Sequence, residues 1–389
     1  MRPRICFLFN HDTTHQIAHS LPIAFALARR GEGEIVLANG AEKIAKAVDD
    51  LLDRFAPDLA EMKHRTLGLS RASSRTVGSM TAKLVPSRKV LLYRDNLEFF
   101  RSFDAIVVSE KTSLLLKTRY DVTGPKLIHT RHGAGDRAIG FDPQSALFDL
   151  VLVSGPKIRR RLIDEADVQD NKIREVGYVK FDLFGDTIPE SPFPTDAPIA
   201  LYNPHPSPKL TSWYEMGNDT LNELAGKGGF NTVFAPHVTM FERPWTVTIS
   251  PPAIRKVCRP RISAGNLERL YVDLGSERST DMSWTNLANL YVGDVSSQVY
   301  EFLYRPRPCL FLNAHDVNWR HDPSYRHWNA GPVIGPRDDI ADAARRAMDC
   351  HEDYIDVQRE LVAQSFSVTD RPASERAAEA ILDFLATKQ

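Results

Sequence analysis

Short apolar runs recur along the chain, and most of them are separated by longer stretches whose apolar positions repeat at helical spacing. Runs of this length, rich in Val, Ile, Leu and Phe and bounded by turn residues, predict strands buried in parallel sheets. Because these runs alternate with helices, the pattern predicts an α/β fold. The predicted strands are residues 5–9, 34–38, 103–109, 126–129, 150–154, 173–176, 199–202, 231–234, 270–273, 290–292 and 309–313.

The helical stretches are amphipathic, which indicates that each packs one face on a sheet. The first covers residues 16–30 and ends before Gly31, a residue type that commonly follows helices. Residues 41–100 are predicted to be mostly helical. Further helices are predicted at residues 157–166, 337–365 and 373–386.

The chain has 389 residues, which is too long for one ordinary hydrophobic core and predicts two domains. A proline-rich stretch, PESPFPTDAP, has the composition of a linker and follows residue 188. We therefore expect an N-terminal domain at residues 1–188 and a second α/β domain at residues 189–365. The remaining residues, 366–389, form a closing helical segment that is free to pack back on the first domain.

Composition and charge exclude several classes of protein. Hydrophobic residues make up 42% and charged residues 25%, as in a soluble globular protein. The net charge of −1 gives no global attraction to nucleic acid, so no nucleic-acid partner is expected. No apolar run approaches the ~18 residues of a membrane span, and the first apolar run is too short for a signal peptide. We expect a cytoplasmic protein.

Residues 62–93 are basic, with Arg and Lys interleaved among apolar residues and few acids. Such a stretch is usually a solvated face. It would also suit an anionic acceptor or membrane headgroups, so peripheral contact with a membrane is the alternative.

Neither a metal site nor a disulfide framework is indicated. The His and Asp residues between positions 315 and 327 lack the helical spacing of zinc motifs. The cysteines lie far apart without a CxxC pair, at Cys6, Cys258, Cys309 and Cys350. We expect no metal and no cofactor.

In one stretch, GDVSSQVYEFLYRPRPCLFLN at residues 293–313, the pattern of apolar residues changes several times between that of a strand and that of a helix. A strand ends before Asp294, and from Val295 the apolar residues recur at helical spacing. Ser296 and Ser297 therefore fall in the first turn of the predicted helix, where backbone N–H groups and the helix dipole suit a phosphate or diphosphate. Serine is also a common helix cap, so a βαβ unit without a ligand is the alternative.

Glu301 lies four residues after Ser297, whereas a capping box requires a spacing of three. The carboxylate is therefore free for a role other than capping. We group Glu301 with the two serines and Asp294 as a predicted donor or diphosphate site.

Histidines stand in loops that follow predicted strands. His11 and His15 follow the first strand of the chain, and His205 and His237 follow the first two strands of the second domain. Open α/β sheets bind ligands at the carboxyl ends of their strands, so these loops predict a ligand-facing rim. For His11 and His15 the alternative is a pair of solvated loop histidines.

His132 lies in the segment TRHGAGDR, which follows the strand predicted at residues 126–129. Gly133 and Gly135 would let the backbone approach a ligand closely, and imidazole is suited to proton transfer near neutral pH. Arg131 and Arg137 flank the histidine. The segment therefore predicts a catalytic histidine with cations beside it.

Several segments resemble, in order, motifs of the CDP-glycerol glycerophosphotransferases, the teichoic-acid primases and polymerases. TRHGAGDR resembles their His-Gly acceptor-site motif, and VGYVKFDLF the Gly-x-x-(Arg/Lys)-x-Asp segment that follows. FAPHVTM is similar to their Pro-His segment, GDVSSQ to their Asp-x-Ser-Ser segment, and AGPVIGPRDDIADAARRAM to their Gly-Pro strand and closing helix. The resemblance runs from about residue 125 to residue 350.

The resemblance implies a GT-B fold, with two Rossmann-like domains facing across a cleft and the nucleotide held by the C-terminal domain. It implies transfer of a glycerol-phosphate-like group from a CDP-alcohol donor to a hydroxyl acceptor, which a lipid could carry, with release of CMP. The implied roles are catalysis by His132 and His237, donor binding by His205, Asp294, Ser296, Ser297 and Glu301, and acceptor contacts by His11, His15, Arg131 and Arg137.

Other functions fit the same architecture. A GT-B glycosyltransferase would use a UDP- or CMP-sugar with His15 as base, and a sugar-nucleotide epimerase would need no acceptor. A non-catalytic nucleotide-binding module is the alternative from a different class. Preference for cytidine or uridine nucleotides would separate the two transferases.

Overall fold

The computed structural model describes residues 2–11, 13–69, 87–131, 133, 135, 141–242, 244–248 and 253–387, and only the backbone of residues 87, 247, 248 and 253. The chain forms two compact units. The first unit comprises Met1–His132, Ile139–Leu183 and Ser365–Gln389, and the second comprises Gly133–Ala138 and Phe184–Gln364.

A seven-stranded parallel sheet forms the centre of the first unit, in the order β3-β2-β1-β4-β5-β6-β7. Five of the six residues of β1 and all four of β4 are buried, as expected of apolar parallel strands covered on both faces. The strands are β1 (Arg4–Phe9), β2 (Glu34–Asn39), β3 (Lys63–Thr66), β4 (Ala105–Val108), β5 (Lys126–Thr130), β6 (Leu150–Val153) and β7 (Ile173–Glu175).

The second unit contains a six-stranded parallel sheet in the order β12-β9-β8-β13-β14-β15. A separate antiparallel hairpin, β10–β11, is inserted between β9 and β12. The strands are β8 (Ile199–Asn203), β9 (Asn231–Phe234), β10 (Trp245–Thr248), β11 (Ala253–Lys256), β12 (Leu270–Val272), β13 (Leu290–Gly293), β14 (Cys309–Leu312) and β15 (Val333–Ile334).

Amphipathic helices connect the strands. In chain order the α-helices are α1 (Leu21–Arg30), α2 (Glu42–Phe55), α3 (Ser87–Asp95), α4 (Leu97–Arg101), α5 (Leu115–Thr118), α6 (Pro156–Ala166), α7 (Phe181–Phe184), α8 (Trp213–Ala225), α9 (Ser283–Leu287), α10 (Gln298–Leu303), α11 (Ile340–Asp349), α12 (Ile355–Ser365) and α13 (Ala373–Ala386). Short 3-10 helices are Thr14–His19, Pro57–Leu59, Lys111–Leu114, Pro143–Leu147, Asp170–Lys172, Ala264–Arg269, Glu277–Ser279, Pro323–Ala330 and His351–Tyr354.

The last helix of the chain belongs to the first unit, where α13 packs against α1. The apolar face of α13 is buried, including Ala377, Ile381 and Phe384. The chain enters this unit beside the end of β6, where Ser154 Oγ donates to the Ser365 carbonyl at 2.9 Å and the Ser367 N–H donates to the Ser154 carbonyl at 2.8 Å.

Two predicted helices are interrupted in the structure. The stretch at residues 16–30 is a 3-10 turn, Thr14–His19, followed by α1, because Pro22 lacks an N–H and its ring would clash with the carbonyl four residues earlier in a continuous helix. The stretch at residues 337–365 is divided into α11 and α12. Between them Cys350 has φ −96° and ψ 17°, and His351 hydrogen-bonds Gln358 across the break.

Three strands were absent from the sequence expectation, and a fourth, β15, was implied only by the resemblance to a Gly-Pro strand. β3 lies within the part predicted to be mostly helical, and all four of its residues, KHRT, are exposed at the edge of the sheet. β10 and β11 form the inserted hairpin. None of the described side chains in these three strands is buried, so they lack the signal by which the other strands were recognised.

No helix in the part of the chain that the structure describes is both long and apolar enough to cross a membrane. Of the basic stretch at residues 62–93, residues 70–86 lie outside the described residues. Its contact with a membrane stays a prediction.

Candidate functional site

The strand order of the second sheet reverses between β8 and β13, because β9 and β12 lie on one side of β8 and β13 to β15 on the other. Open α/β sheets bind ligands outside the carboxyl ends of the strands at such a reversal. The loops that follow β8, β9 and β13 therefore surround the expected ligand position. We call residues 204–212, 235–242 and 294–297 the first, second and third rim loops.

Asp294 begins the third rim loop and is 1% exposed. Its carboxylate accepts hydrogen bonds from the N–H of His205 at 2.9 Å, the N–H and hydroxyl of Ser212 at 2.7 and 2.9 Å, and the N–H of Val295 at 2.7 Å. Burial raises the pKa of Asp294, and the hydrogen bonds oppose that rise. Asp294 thus links the first rim loop to the third. These hydrogen bonds occupy most of the acceptor positions of its carboxylate, so the residue holds the loops in position.

The helix after the third rim loop begins three residues later than predicted, at Gln298 instead of Val295. The Val295 N–H donates to the side chain of Asp294, which holds this turn outside a helix. Ser296 is buried, and its Oγ accepts the Gln298 N–H at 3.4 Å, whereas Ser297 is exposed. Of the two serines, Ser297 is therefore the one that faces solvent, and Ser296 supports the turn.

His205 and His237 lie close together, with ring centroids 6.3 Å apart. His205 Nδ1 accepts the Ser207 N–H at 3.0 Å, and His237 Nδ1 accepts the Thr239 N–H at 3.3 Å. His237 Nδ1 also lies 2.9 Å from the Thr239 hydroxyl. The first and second rim loops therefore each hold an imidazole ring in place through contacts within the loop.

Backbone and aromatic contacts fix these loops. The His237 N–H donates to the Pro204 carbonyl at 3.1 Å, which connects the first two rim loops. The Asp294 carbonyl accepts from His327 Nε2 at 2.9 Å and from Trp328 Nε1 at 2.7 Å. The third loop is thereby held by residues far away in the sequence.

Two of the three histidines between residues 315 and 327 have structural partners. His315 Nε2 lies 3.0 Å from the Thr211 carbonyl, and His327 contacts the Asp294 carbonyl. Among the described residues, no three His, Cys, Asp or Glu side chains are grouped as metal ligands would be.

Glu301 is buried in α10, one turn after Ser297. Gly135 belongs to the same unit and approaches Ser297, because a Cβ added to Gly135 would lie 3.0 Å from Ser297 Cβ. Gly135, three residues after His132 in the sequence, thus contacts the third rim loop. His132 and Arg137 themselves lie outside the described residues.

The first sheet has its own reversal of strand order, between β1 and β4. His11 follows β1, Glu110 follows β4, and His11 Nδ1 lies 3.6 Å from Glu110 Oε1. Glu110 Oε2 also accepts from Lys89 Nζ at 2.7 Å and from the Thr112 hydroxyl at 3.0 Å. The side chain of His11 is fully buried, so the interpretation of His11 as a solvated loop histidine is wrong.

Burial raises the pKa of Glu110, but contacts with His11 and Lys89 outweigh burial and lower it to about 2. Glu110 directly follows a predicted strand, as His11 does, so the rule that pointed to His11 would also have found Glu110. Lys89 had no comparable signal, because it lies at the start of a helix far from any strand end.

Two further predicted acceptor-side residues lie in the first unit. His15 is half-buried in the 3-10 turn Thr14–His19. Arg131 directly follows β5 and stacks on the Phe141 ring at 4.2 Å, and Arg161 contacts the same ring at 3.9 Å. Burial and the neighbouring Arg161 lower the pKa of Arg131 to about 10. Their proposed contacts with an acceptor stay predictions.

Several solved structures resemble this chain over nearly all of its residues, at low sequence identity. A variant of the wall teichoic acid polymerase TagF, soaked with CDPG, has a TM-score of 0.61 and 12% identity, over 100% of this chain and 90% of that chain. The glycotransferase of kitacinnamycin has a TM-score of 0.58 and 14% identity, over 99% and 100% of the two chains. Anabaena HepE in complex with UDP and glucose has a TM-score of 0.51 and 12% identity, over 99% and 100%.

The two parallel-sheet α/β units, of seven and six strands, and these likenesses define the GT-B fold. The fold class expected from the sequence is therefore confirmed. In structure the chain resembles TagF, a member of the group whose motifs its sequence resembles. No protein-family model and no curated protein matches the sequence.

Proposed function

We propose that the protein is a transferase that moves a glycerol-phosphate-like group from a CDP-alcohol donor to an acceptor hydroxyl and releases CMP. One observation carries this proposal: His205, His237 and Ser297 lie on the three rim loops at the strand-order reversal. Imidazole rings and a hydroxyl are suited to hydrogen bonding with a diphosphate. The likeness to TagF soaked with CDPG supports a CDP-linked donor.

In the proposed reaction His132 accepts the proton of the acceptor hydroxyl, and the hydroxyl oxygen bonds to the β-phosphorus of the donor. The bond between that phosphorus and the bridging oxygen breaks, and CMP leaves with the electron pair. The role of His132 rests on the sequence resemblance and on the approach of the following glycine segment to Ser297. His237 and Ser297 would donate to phosphate oxygens as negative charge develops.

The remaining donor-side residues are proposed to support this geometry. Asp294 holds the backbone N–H of His205, and Ser296 holds the turn before Ser297. Glu301 would accept hydrogen bonds from ribose hydroxyls or position the diphosphate-binding turn.

The acceptor is proposed to bind the first unit, at the carboxyl edge of its sheet. His11 and His15 follow β1 there, and Arg131 follows β5. Together with Arg137, His15 and Arg131 would favour an acceptor that carries negative charge near its hydroxyl, and the buried His11 would support this edge through Glu110. A lipid-linked acceptor in the cytoplasm meets this description.

Nucleotide binding tests the proposal most directly. In a thermal-shift experiment with CDP-glycerol, CDP, CMP and UDP-sugars, we expect the cytidine compounds to raise Tm most, since a ligand at 100 times its Kd adds about 2.7 kcal/mol of stability. His237→Ala should remove most of that shift, whereas His351→Ala, on a 3-10 turn outside the rim loops, should retain it. Stabilisation by no nucleotide would contradict the proposal.

The catalytic assignment has a separate test. His132→Ala should abolish transfer while CMP still raises Tm, because the general base contacts the acceptor and not the nucleotide. Loss of both properties, or of neither, is incompatible with this role.

A second candidate is a GT-B glycosyltransferase with a nucleotide-sugar donor. The likeness to HepE, solved with UDP and glucose, favours it. In the same thermal-shift experiment this candidate requires that UDP-sugars stabilise the protein more than cytidine compounds do.

A further inference from the structure

Exposed apolar side chains are concentrated in one segment of the second unit, residues 245–272. Ten large apolar side chains are exposed in the part of the chain that the structure describes. Five of these ten lie in this segment, at Trp245, Ile254, Leu267, Tyr271 and Val272. The segment begins with the inserted hairpin β10–β11, which is outside the six-stranded sheet.

The pairing of the two strands places two large apolar residues, Trp245 and Ile254, on one face. Trp245 pairs with Lys256, and Val247 pairs with Ile254. Directly opposite residues, and positions two apart on a strand, share a face, so Trp245, Ile254 and Lys256 lie on the same side. Trp245 is 53% and Ile254 is 70% exposed, which shows that this side faces solvent.

The opposite side of the hairpin is directed towards α8. Arg255, which pairs with Thr246, lies 3.3 Å from a carboxylate oxygen of Glu215. The Arg255 guanidinium also lies 5.0 Å from the centre of the Tyr214 ring. These contacts explain why the apolar side is turned away from the unit.

The chain after the hairpin is fixed along α8. The Arg261 N–H donates to Asn218 Oδ1 at 2.8 Å, and the Ser263 N–H donates to Asn222 Oδ1 at 2.8 Å. Because Glu215, Asn218 and Asn222 follow one face of the helix, the segment lies along that face. The exposed side chains are therefore presented from a supported backbone.

The charge of this segment is positive, although the whole chain has a net charge of −1. Between residues 244 and 267 the sequence contains four basic residues and no acidic residue. All four are exposed: Arg255, Lys256, Arg259 and Arg261. The segment therefore combines an exposed Trp and Ile with a local excess of positive charge.

We propose that this hairpin docks the protein on an anionic bilayer surface, with Trp245 and Ile254 at the headgroup boundary and Lys256 and Arg259 against lipid phosphates. Tryptophan favours this boundary because its ring is apolar and its N–H is polar. Basic side chains add attraction to anionic lipids. This inference goes beyond the proposed reaction and does not depend on it.

The size of the apolar face argues for a bilayer and against a protein partner. Two large side chains on four-residue strands offer much less than the roughly 800 Å² per partner that a stable protein–protein interface buries. Shallow insertion of a few apolar side chains beside cations is sufficient for reversible membrane contact.

Co-sedimentation with vesicles tests the proposal. The full-length protein should bind vesicles of equal parts phosphatidylcholine and phosphatidylglycerol, and bind pure phosphatidylcholine much more weakly. Trp245→Ser combined with Ile254→Ser should weaken binding at least roughly tenfold. Lys256→Glu combined with Arg259→Glu should weaken it at least roughly 30-fold and reduce its dependence on salt.

Matched substitutions elsewhere control for general effects. Ile188→Ser removes an equally exposed apolar side chain outside the segment, and Lys43→Glu with Lys46→Glu makes the same charge change on α2. Both should bind anionic vesicles as the unsubstituted protein does. Circular dichroism and unchanged Tm would show that the hairpin variants are folded.

Three results would overturn the proposal. The first is failure of the unsubstituted protein to bind anionic vesicles. The second is unchanged vesicle binding by the folded hairpin variants, which would leave the basic stretch 62–93 as the contact. The third is a dimer, detected by light scattering, that the Trp245 and Ile254 substitutions dissociate, because the face would then belong to a second copy of the chain.

Discussion

Glu110 links the ends of two strands of the first sheet through ionic contacts of its carboxylate. It follows β4 and contacts His11 after β1, while Lys89 reaches it from α3. Because the side chains of Glu110 and Lys89 are only about one-seventh exposed, at 15% and 14%, water screens their interaction less than at the surface. The pKa of Glu110, lowered to about 2, shows that the folded state favours the charged carboxylate.

Glu110→Gln should therefore make the protein less stable near neutral pH. The carboxylate has an ordinary pKa of 4.5 and a folded pKa of about 2, so its contribution is complete above pH 4.5 and is lost as pH falls through about 2. The difference between the two pKa values corresponds to a contribution of at most about 3 kcal/mol to the free energy of unfolding. Urea unfolding at several pH values should show a lower free energy of unfolding for the variant, with the two proteins converging in acid.

Glu98→Gln is the control for this measurement, since Glu98 forms an exposed ion pair with Arg101. Exposed pairs contribute about 0–1 kcal/mol, so its effect should be small. Equal effects of the two substitutions at every pH would contradict the assignment.

The residues of the candidate site differ in how far the sequence could predict their positions. The sequence placed His205 and His237 in the first and second rim loops because each follows an apolar strand in a parallel sheet. The burial of Asp294 and Ser296 was not predictable, because it depends on partners such as Ser212, His327 and Trp328 that are remote in sequence. A strand-end rule locates the loops, and only tertiary contacts decide which of their side chains are exposed.

The N-terminus of helix α13 is capped by a side chain from a different helix. The carboxylate of Asp182, in α7, accepts the N–H of Ala373 at 3.1 Å and the N–H of Ser374 at 2.6 Å. These are two of the four N–H groups that a helix leaves unpaired at its start, and a negative charge there also complements the helix dipole. A residue almost two hundred positions earlier thus supplies the cap.

Asp182→Ala should lower the free energy of unfolding of the first unit by about 1 kcal/mol, the usual contribution of a helix cap. For a unit of this size the expected fall in Tm is about 2–4 °C. Asp182→Asn retains an oxygen acceptor and should lose less. Calorimetry that finds Asp182→Ala indistinguishable from the unsubstituted protein would exclude a capping role.

Some strands and helices were predicted well from the sequence and others were not, and burial explains the difference. Central strands such as β4 and β13 are buried on both faces, and their apolar runs therefore predicted them well. The edge strand β3 has four exposed residues, so no hydrophobic signal exists. The start of α10 was misplaced because a buried carboxylate, Asp294, binds the backbone that would have formed the first turn.

The C-terminal segment is part of the first unit's core, although it follows the whole second unit in sequence. Ile381 is fully buried, Phe384 is nearly so, and α13 packs on α1. Burial of two such side chains contributes about 3–6 kcal/mol, which is comparable with the total stability of a small domain.

Truncation after Gln364 should therefore unfold or severely destabilise the first unit. Hydrogen exchange should become fast in α1 and β1, while β8 and α8 of the second unit stay protected. A chain that ends at Ala386 retains α13 and should exchange like the complete protein. Equal protection of α1 in both truncated chains would refute the dependence on α13.

The order in which the ribosome makes this chain conflicts with the order in which its units become complete. Domains generally fold from the N-terminal end as they emerge, at about 5–20 residues per second. Here α13, which belongs to the first unit, is synthesised only after every strand of the second sheet. The seven-stranded sheet must therefore wait with the apolar face of α1 uncovered, so the first unit is the one in greater need of a chaperone during synthesis.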